Sequence, residues 1–479
     1  MPDPTRRSLA DILNANDLRG LVPAQWGTRE ATMIGAALAE HLGPKPILVG
    51  RDMRRSGGEL SASVARGITS RGVDVVDLGL VSTDACYFAS GTRNLPGVVL
   101  TASHNPGQYN GMKVMRAGAA PVGRDNGLAA IIATAQGFLD EGTHPRAPTR
   151  GHVTGLDILP DYAAYLRSLV DLTGIEPLKV AVDAGNGMAG QTVPAVLGSA
   201  VGMPPLPLDL VPLYFKLDGS FPVHPANPLD PANTRDLARV IVESGADLGL
   251  AFDGDADRCF VLDEKGEIVS PAAIAAIVGL GEIERDLEEG REPVIVHNLI
   301  TSRAVPELLA KAGARPVRTR VGHAFVKQIM AEFEAIFGAE HSAHFYFRDF
   351  FFADTGLLAA MHVLAALDRA GTPMSELAAA FDPYVASGEI NTRVTSVDDA
   401  IAAVRAAYQP NADDDATRLD LLDGLLIDHW ETHPRWWANV RPSNTEPLLR
   451  LNVEAEDEET MAQIRDAILG IVRSHGVAE

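Results

Sequence analysis

Short runs of Val, Ile, Leu and Ala alternate along this chain with longer stretches whose apolar residues recur at helical spacing. Arg29 to Leu42 predicts a helix, Pro46 to Val49 a strand, Glu59 to Arg71 a helix and Val73 to Leu78 a strand. A short helix near Asp84 to Ser90 then leads into the strand Gly97-Val98-Val99-Leu100. Strand and helix in alternation predict a mixed or parallel sheet covered on both faces. Gly142 to Gly155, with Pro145 and Pro148, has the composition of a linker.

A second unit opens on the strand Pro177 to Asp183, turns at Ala184-Gly185-Asn186-Gly187, and continues through a helix near Asn233 to Ser244 to the strand Asp247 to Phe252. The third has helices at Ala272 to Leu287, Ser302 to Ala312, Ala324 to Phe333 and Thr355 to Arg369, with strands at Val294 to His297, Pro316 to Val321 and Ala335 to Phe337. After Gly371-Thr372-Pro373 the rhythm changes. Strands near Glu389 to Val394, Gly424 to Asp428, Trp436 to Val440 and Leu448 to Val453 follow closely, with helices at Asp398 to Tyr408 and Glu458 to Ser474. Few crossovers predict an antiparallel sheet with its helices on one face. The expected architecture is α/β: three related mixed-sheet α/β domains at 1–155, 156–265 and 266–371, and a smaller C-terminal α+β domain at 372–479.

Length agrees, since 479 residues at ~150 per domain give three to four domains. Hydrophobic residues make up 46% and charged residues 22%, a globular composition with no run near the ~20 apolar residues of a membrane span. Asp11 and Asn14 interrupt any export-type stretch behind Arg6-Arg7, so a cytoplasmic location is expected, with no membrane partner. The net charge of −22 opposes binding to nucleic acid, and an anionic substrate would need a local cluster of cations. Cys86 and Cys259 sit in or beside apolar runs and are expected to be core residues.

Four polar loops carry the candidate chemistry. Thr101-Ala102-Ser103-His104-Asn105-Pro106 delivers a serine at the end of a buried strand, and Lys113 follows in Tyr109-Asn110-Gly111-Met112-Lys113. Taken alone it is either a surface turn or a hydrolase nucleophile, although no nucleophile-elbow glycine pattern surrounds it. Asp253-Gly254-Asp255-Ala256-Asp257-Arg258 sets three carboxylates at alternate positions, a density of hard oxygen ligands that suits Mg²⁺. An EF-hand would put Glu264 at its twelfth position, but its sixth is Arg258 rather than glycine. Glu340, Ser342 and His344 alternate after a strand, and in an extended segment would face sugar hydroxyls together. Arg441-Pro442-Ser443-Asn444-Thr445 gathers donors for one phosphate between two strands.

Together, in this order and at these separations, the four loops resemble the α-D-phosphohexomutases, most of all the bacterial phosphomannomutase/phosphoglucomutase branch. The resemblance spans the whole chain and implies four domains around a central cleft. It implies that Ser103 carries a phosphoryl group and, with Asp253, Asp255 and Asp257, binds Mg²⁺. His104 and Lys113 would assist proton transfer beside Arg258. Arg19, Gly322, His323, Glu340, Ser342 and His344 would contact the sugar phosphate, and Arg441, Ser443, Asn444 and Thr445 would hold the phosphate not being transferred.

The implied reaction interconverts hexose 1- and 6-phosphates, activated by a hexose 1,6-bisphosphate, in a monomer or weak dimer. Gly371 to Pro373 would be the hinge of the last domain. Alternatives are a phosphoglucosamine mutase, a metal-dependent phosphohydrolase or a non-catalytic sugar-phosphate binding protein. Three departures stand out: Ile300 where many relatives have lysine, Asn16 where tyrosine is common, and Ala343 in place of a glycine. Arg348 and Lys327 are the candidate cations for the missing lysine.

Overall fold

A computed structural model describes residues 8–410, 416–442 and 448–476 of the chain. Four sheets follow one another along the sequence, of seven, four, five and six strands. In the first, the strands Ile47–Arg51, Val75–Leu80 and Gly97–Leu100 are parallel, while Tyr109–Arg116 and Leu18–Leu21 complete one side antiparallel. The second and third are likewise mixed.

Period-two patterning explains why the first sheet is covered twice. Ile47, Val49, Val98 and Leu100 face the helices Thr28–His41, Gly57–Ser70 and Leu128–Glu141. Leu48 and Val99 face the opposite way, into a continuous core shared with the second and third sheets. Both cysteines are free and buried, as expected. Among the described residues no helix is long and apolar enough to cross a membrane.

Two expectations need correction. The stretch 142–155 is not all linker, because Val153–Gly155 pairs with Val75–Asp77 as the edge strand of the first sheet. The hinge is not at Gly371 to Pro373 either. The helix Met374–Ala379 follows at once, and its Met374 and Ala378 are buried in the shared core, so the chain leaves the third domain only after that helix.

The last sheet is antiparallel and carries its helices, Val397–Ala407 and Glu458–Ser474, on one face. Leu425, Ile427, Ala438 and Val440 point to those helices. Leu426 and Trp437 point the other way and, with Trp430, meet Leu299 and Ile300 of the third domain. Ile300 therefore serves this apolar contact, which a lysine would disrupt. Around it, Arg303 pairs with Asp428, and Trp430 Nε1 donates to Glu307 at 2.7 Å.

Candidate active site

The serine loop begins where the wholly buried strand Gly97–Leu100 ends, and Ser103 takes a left-handed backbone with φ 46°. Arg54 holds this conformation. Fully buried, its guanidinium donates to the carbonyl oxygens of Ser103 and Asn105, each at 2.7 Å, of Pro106 at 2.8 Å and of Tyr109 at 2.9 Å. Asp52 supplies its counter-charge at 3.2 Å. Neither residue stands out in the sequence; the only signal is an Asp-Met-Arg triplet directly after a buried strand.

The acidic loop lies against the serine loop so closely that a Cβ on Gly254 would fall 2.5 Å from the Ser103 carbonyl oxygen. Ser103 Oγ donates to Asp253 Oδ2 at 2.6 Å and lies 3.2 Å from His104 Nδ1. Arg258 donates to Asp253 Oδ2 from Nη2 at 2.9 Å and to His104 Nδ1 at 2.7 Å. Burial and the Arg258 charge hold the His104 pKa well below the ordinary histidine range, leaving a neutral ring. Burial pushes Asp253 up to about 7, against the opposing pull of Arg258.

Lys113 is not on a loop. It lies on the strand Tyr109–Arg116, whose Asn110-Gly111 pair mimics a turn signal in the sequence. Its Nζ contacts Asp255 Oδ2 at 2.8 Å and Asp257 Oδ2 at 2.5 Å. Burial alone would lower its pKa, but these carboxylates outweigh that and raise it well above the ordinary lysine value. Thr83 Oγ1 also donates to Asp255 Oδ2, at 2.6 Å.

Asp253, Asp255 and Asp257 each present an oxygen within 4.8 Å of the others. Asp255 Oδ1 and Asp257 Oδ1 are buried without a hydrogen-bond partner among the described residues. Two orphaned carboxylate oxygens beside a third carboxylate and a serine fit a hard divalent cation.

The third domain adds the sugar loop, which is a tight turn rather than an extended segment. Ala343 has φ 63°, and the backbone N–H of Glu340 donates to the carbonyl of His344 at 3.0 Å. Glu340 is 3% exposed, with its carboxylate accepting from Asn298 Nδ2 at 3.1 Å, Gly322 N at 2.9 Å and Tyr346 Oη at 2.6 Å. In this arrangement Glu340 organises the loop and Gly322 instead of presenting a free carboxylate. Ser342 Oγ pairs with His344 Nδ1 at 2.9 Å, and His344 Nε2 lies 4.0 Å from Asp354. His323 is the first residue of the helix His323–Phe333, whose N-cap is Gly322, and its pKa is held well below the ordinary value by burial and by Lys327.

Arg19 donates to Asp17 at 2.9 Å and to Asn105 Oδ1 at 2.6 Å, at the rim of the serine loop. Of the two candidate cations, Arg348 is committed to Asp286 at 2.7 Å, whereas Lys327 lies 2.6 Å from Asp354, the carboxylate that His344 approaches at 4.0 Å. Arg441 is 5% exposed and pairs with Glu389. Ser443, Asn444 and Thr445 lie outside the described residues.

With the four loops placed, comparison with known proteins finds all four domain descriptions of one family, phosphoglucomutase/phosphomannomutase. They are α/β/α domain I at residues 10–137, domain II at 160–266, domain III at 271–384 and the C-terminal domain at 389–471. The chain belongs to the phosphoglucomutase/phosphomannomutase family. It is 35% identical over 467 residues to an Escherichia coli phosphomannomutase, covering 96% of this chain and 98% of that protein. It is also 35% identical over 453 residues to proteins of Xanthomonas campestris named phosphohexose mutases, covering 94% of this chain and 96% of theirs. The crystal structure of a Burkholderia thailandensis phosphoglucomutase/phosphomannomutase family protein superposes with a TM-score of 0.83 at 28% identity, covering 98% of each chain.

Proposed function

We propose that this family member is a Mg²⁺-dependent hexose phosphate mutase that interconverts hexose 1-phosphates and 6-phosphates through a phosphoserine at Ser103. One observation carries the reading: the Ser103 hydroxyl lies 2.6 Å from Asp253, between the acidic triad and Arg258. Phosphoryl transfer depends mainly on positioning and on neutralising charge spread over the phosphoryl oxygens.

In the first transfer the P–O bond to Ser103 Oγ breaks and a P–O bond forms to a sugar hydroxyl, giving the 1,6-bisphosphate. His104, kept neutral by burial and by Arg258, is the group that relays the hydroxyl proton. Lys113, held protonated by Asp255 and Asp257, cannot be that base and acts as a fixed cation. Arg258 neutralises the transferring group. Mg²⁺ on the three aspartates would add a divalent charge beside the same oxygens. The proton passes on to the departing Ser103 Oγ, which is left as a free hydroxyl. The bisphosphate then turns over, the phosphoryl at its other end is transferred to Ser103 Oγ, and the serine proton passes by way of His104 to the sugar oxygen that leaves.

Ser103, Lys113 and Arg258 are all under a tenth exposed, so water is held away from a phosphoserine, which favours transfer to sugar over hydrolysis. Substrate then enters by movement of the C-terminal domain across its contact at Ile300 and Trp437. Arg19 and the Ser342–His344 pair are assigned to the sugar phosphate, Arg441 to the phosphate not being transferred, and Lys327 to the cation place vacated at Ile300.

The test is phosphorus NMR of the full chain with Mg²⁺, given mannose, glucose or glucosamine 1-phosphate and a trace of the matching 1,6-bisphosphate. Appearance of the 6-phosphate from mannose or glucose is the expected result. Conversion of glucosamine 1-phosphate alone, or release of inorganic phosphate as fast as isomerisation, would replace this reading.

A further inference from the structure

The edge strand Val153–Gly155 of the first sheet is exposed along its length, and between it and the helix Gly57–Ser70 lies a cavity of about 550 Å³. Val49, Val75 and Val153 give this cavity an apolar floor, and Val153 is 54% exposed. The helix contributes only small residues above that floor, Gly58, Ala62 and Ala65, and a Cβ on Gly58 would meet nothing within 4 Å. Three arginines line the same space from three different elements. Arg51 ends the strand Ile47–Arg51, Arg66 lies on the helix, and Arg150 precedes the edge strand. Among the described residues none of them has a carboxylate partner: Arg66 Nη2 donates to Ser63 Oγ at 2.6 Å and Arg150 Nη2 to Thr69 Oγ1 at 3.3 Å, both neutral hydroxyls. The chain holds 63 acidic residues against 41 Lys and Arg, so a shortage of carboxylates does not explain three unpaired guanidiniums around one cavity. Asp77 is the single acidic residue of the lining.

We propose that this cavity binds a nucleoside diphosphate, at a site separate from the four polar loops. Three arginines against one aspartate leave an excess of positive charge, which is what an anion needs in order to approach a chain of net charge −22. Guanidinium forks match phosphate oxygens, and several of them suit a diphosphate better than a single phosphate. A bare inorganic anion would leave the valine floor wet and would face Asp77. A nucleoside resolves both conflicts, because its base covers the floor while its ribose hydroxyls donate to the Asp77 carboxylate. The volume also falls within the range of small-molecule sites, roughly 300–1,000 Å³.

The test is isothermal titration of the full chain with ADP and, separately, with GDP, inorganic pyrophosphate and adenosine. Saturable binding of at least one of the two nucleotides is expected, with pyrophosphate about tenfold weaker or more and adenosine not bound. Arg66→Gln and Arg150→Gln, both at exposed positions, should each weaken the nucleotide by about tenfold. Gly58→Leu should abolish binding by filling the cavity without lowering the melting temperature, since leucine is the better helix former. Arg441→Gln reports on the catalytic cleft and should leave nucleotide affinity unaltered. Affinity lost in Arg441→Gln but kept in Arg66→Gln and Arg150→Gln would put the nucleotide in the cleft and overturn the proposal, as would the absence of binding by both nucleotides. Pyrophosphate binding as tightly as ADP would overturn the assignment to a nucleoside. Should Gly58→Leu not fold, the two Gln variants decide alone, and unaltered affinity in both counts against the site.

Discussion

Lys113 Nζ lies 2.8 Å from Asp255 Oδ2, joining a strand of the first domain to the acidic loop of the second across 142 residues. It uses the Oδ2 atoms of Asp255 and Asp257 and leaves both Oδ1 atoms without partners among the described residues. On the proposed mechanism lysine and metal would share these carboxylates, each weakening the other's hold. Lys113→Met should lower the Mg²⁺ concentration for half-maximal effect by roughly tenfold, because one unit of opposing charge leaves a buried site. Turnover should fall by about 10²-fold or more as a fixed cation is lost. Metal titration followed by activity and by thermal shift checks both, and an unchanged or higher Mg²⁺ requirement would show that the carboxylates are not shared.

Ser103 makes a different kind of demand. Its conformation is held by Arg54 through backbone carbonyls, not through its hydroxyl, so Ser103→Ala should leave the loop and the melting temperature nearly unaltered. Intact-mass measurement should show the phosphoryl adduct disappear, and turnover should become negligible. Arg54→Met is the opposite case. It keeps the nucleophile but releases four carbonyl oxygens, and should cost stability as well as rate, by roughly 3–5 kcal/mol for stranding the buried Asp52. A Ser103→Ala variant that still isomerises hexose phosphates would end the phosphoserine mechanism.

Asp84 ties three domains to one carboxylate. It accepts hydroxyl protons from Ser82 of the first domain, Tyr162 of the second at 2.6 Å and Thr355 of the third at 2.7 Å, next to the Thr83 that orients Asp255. Burial raises its pKa to about 6, although those three hydroxyls pull the other way. An acid whose folded pKa exceeds its unfolded value carries no penalty below the unfolded value, near 4. The penalty grows between about pH 4 and 6 and is complete above 6, where it amounts to about 3 kcal/mol. Asp84→Asn removes this titration. The difference in melting temperature between Asp84→Asn and the unaltered protein should thus shift in favour of the variant as pH rises from 4 to 6, and level off above. A difference that does not vary over that range would mean Asp84 does not titrate there.

The order of strands and helices was legible because apolar period and polar punctuation agree over most of the chain. Leu128–Glu141 escapes this pattern because its residues are nearly all apolar or small, leaving no polar face to mark a helical period. The four polar loops were legible as chemistry, each being a dense polar segment at the end of an apolar strand. Their supports were not. Arg54, Thr83 and Asn298 act on residues 49, 172 and 42 positions away, and nothing local distinguishes a buried arginine from a solvated one. The sugar loop misled for a related reason: alternation suggests an extended segment, but Ala343 at positive φ folds it into a turn whose hydrogen bonds consume Glu340.

Lys327 completes the set of buried charges. Its Nζ lies 2.6 Å from Asp354 and 3.7 Å from the centre of the Tyr87 ring, with both charged side chains no more than 2% exposed. Burial lowers the lysine pKa although Asp354 opposes this, and Lys327 in turn holds Asp354 below the ordinary carboxylate range despite its own burial. Removing one partner of such a pair strands the other charge. Lys327→Met should therefore destabilise the protein by roughly 3–5 kcal/mol, whereas adding Asp354→Asn should restore more than half of the loss. His344 sits 4.0 Å from Asp354 and would become the nearest positive group, so in Lys327→Met its pKa should rise from its present depressed value. Melting curves of the single and double variants, with the His344 ring titrated by NMR, test both steps. A single variant as stable as the unaltered protein would mean that Asp354 finds its counter-charge elsewhere.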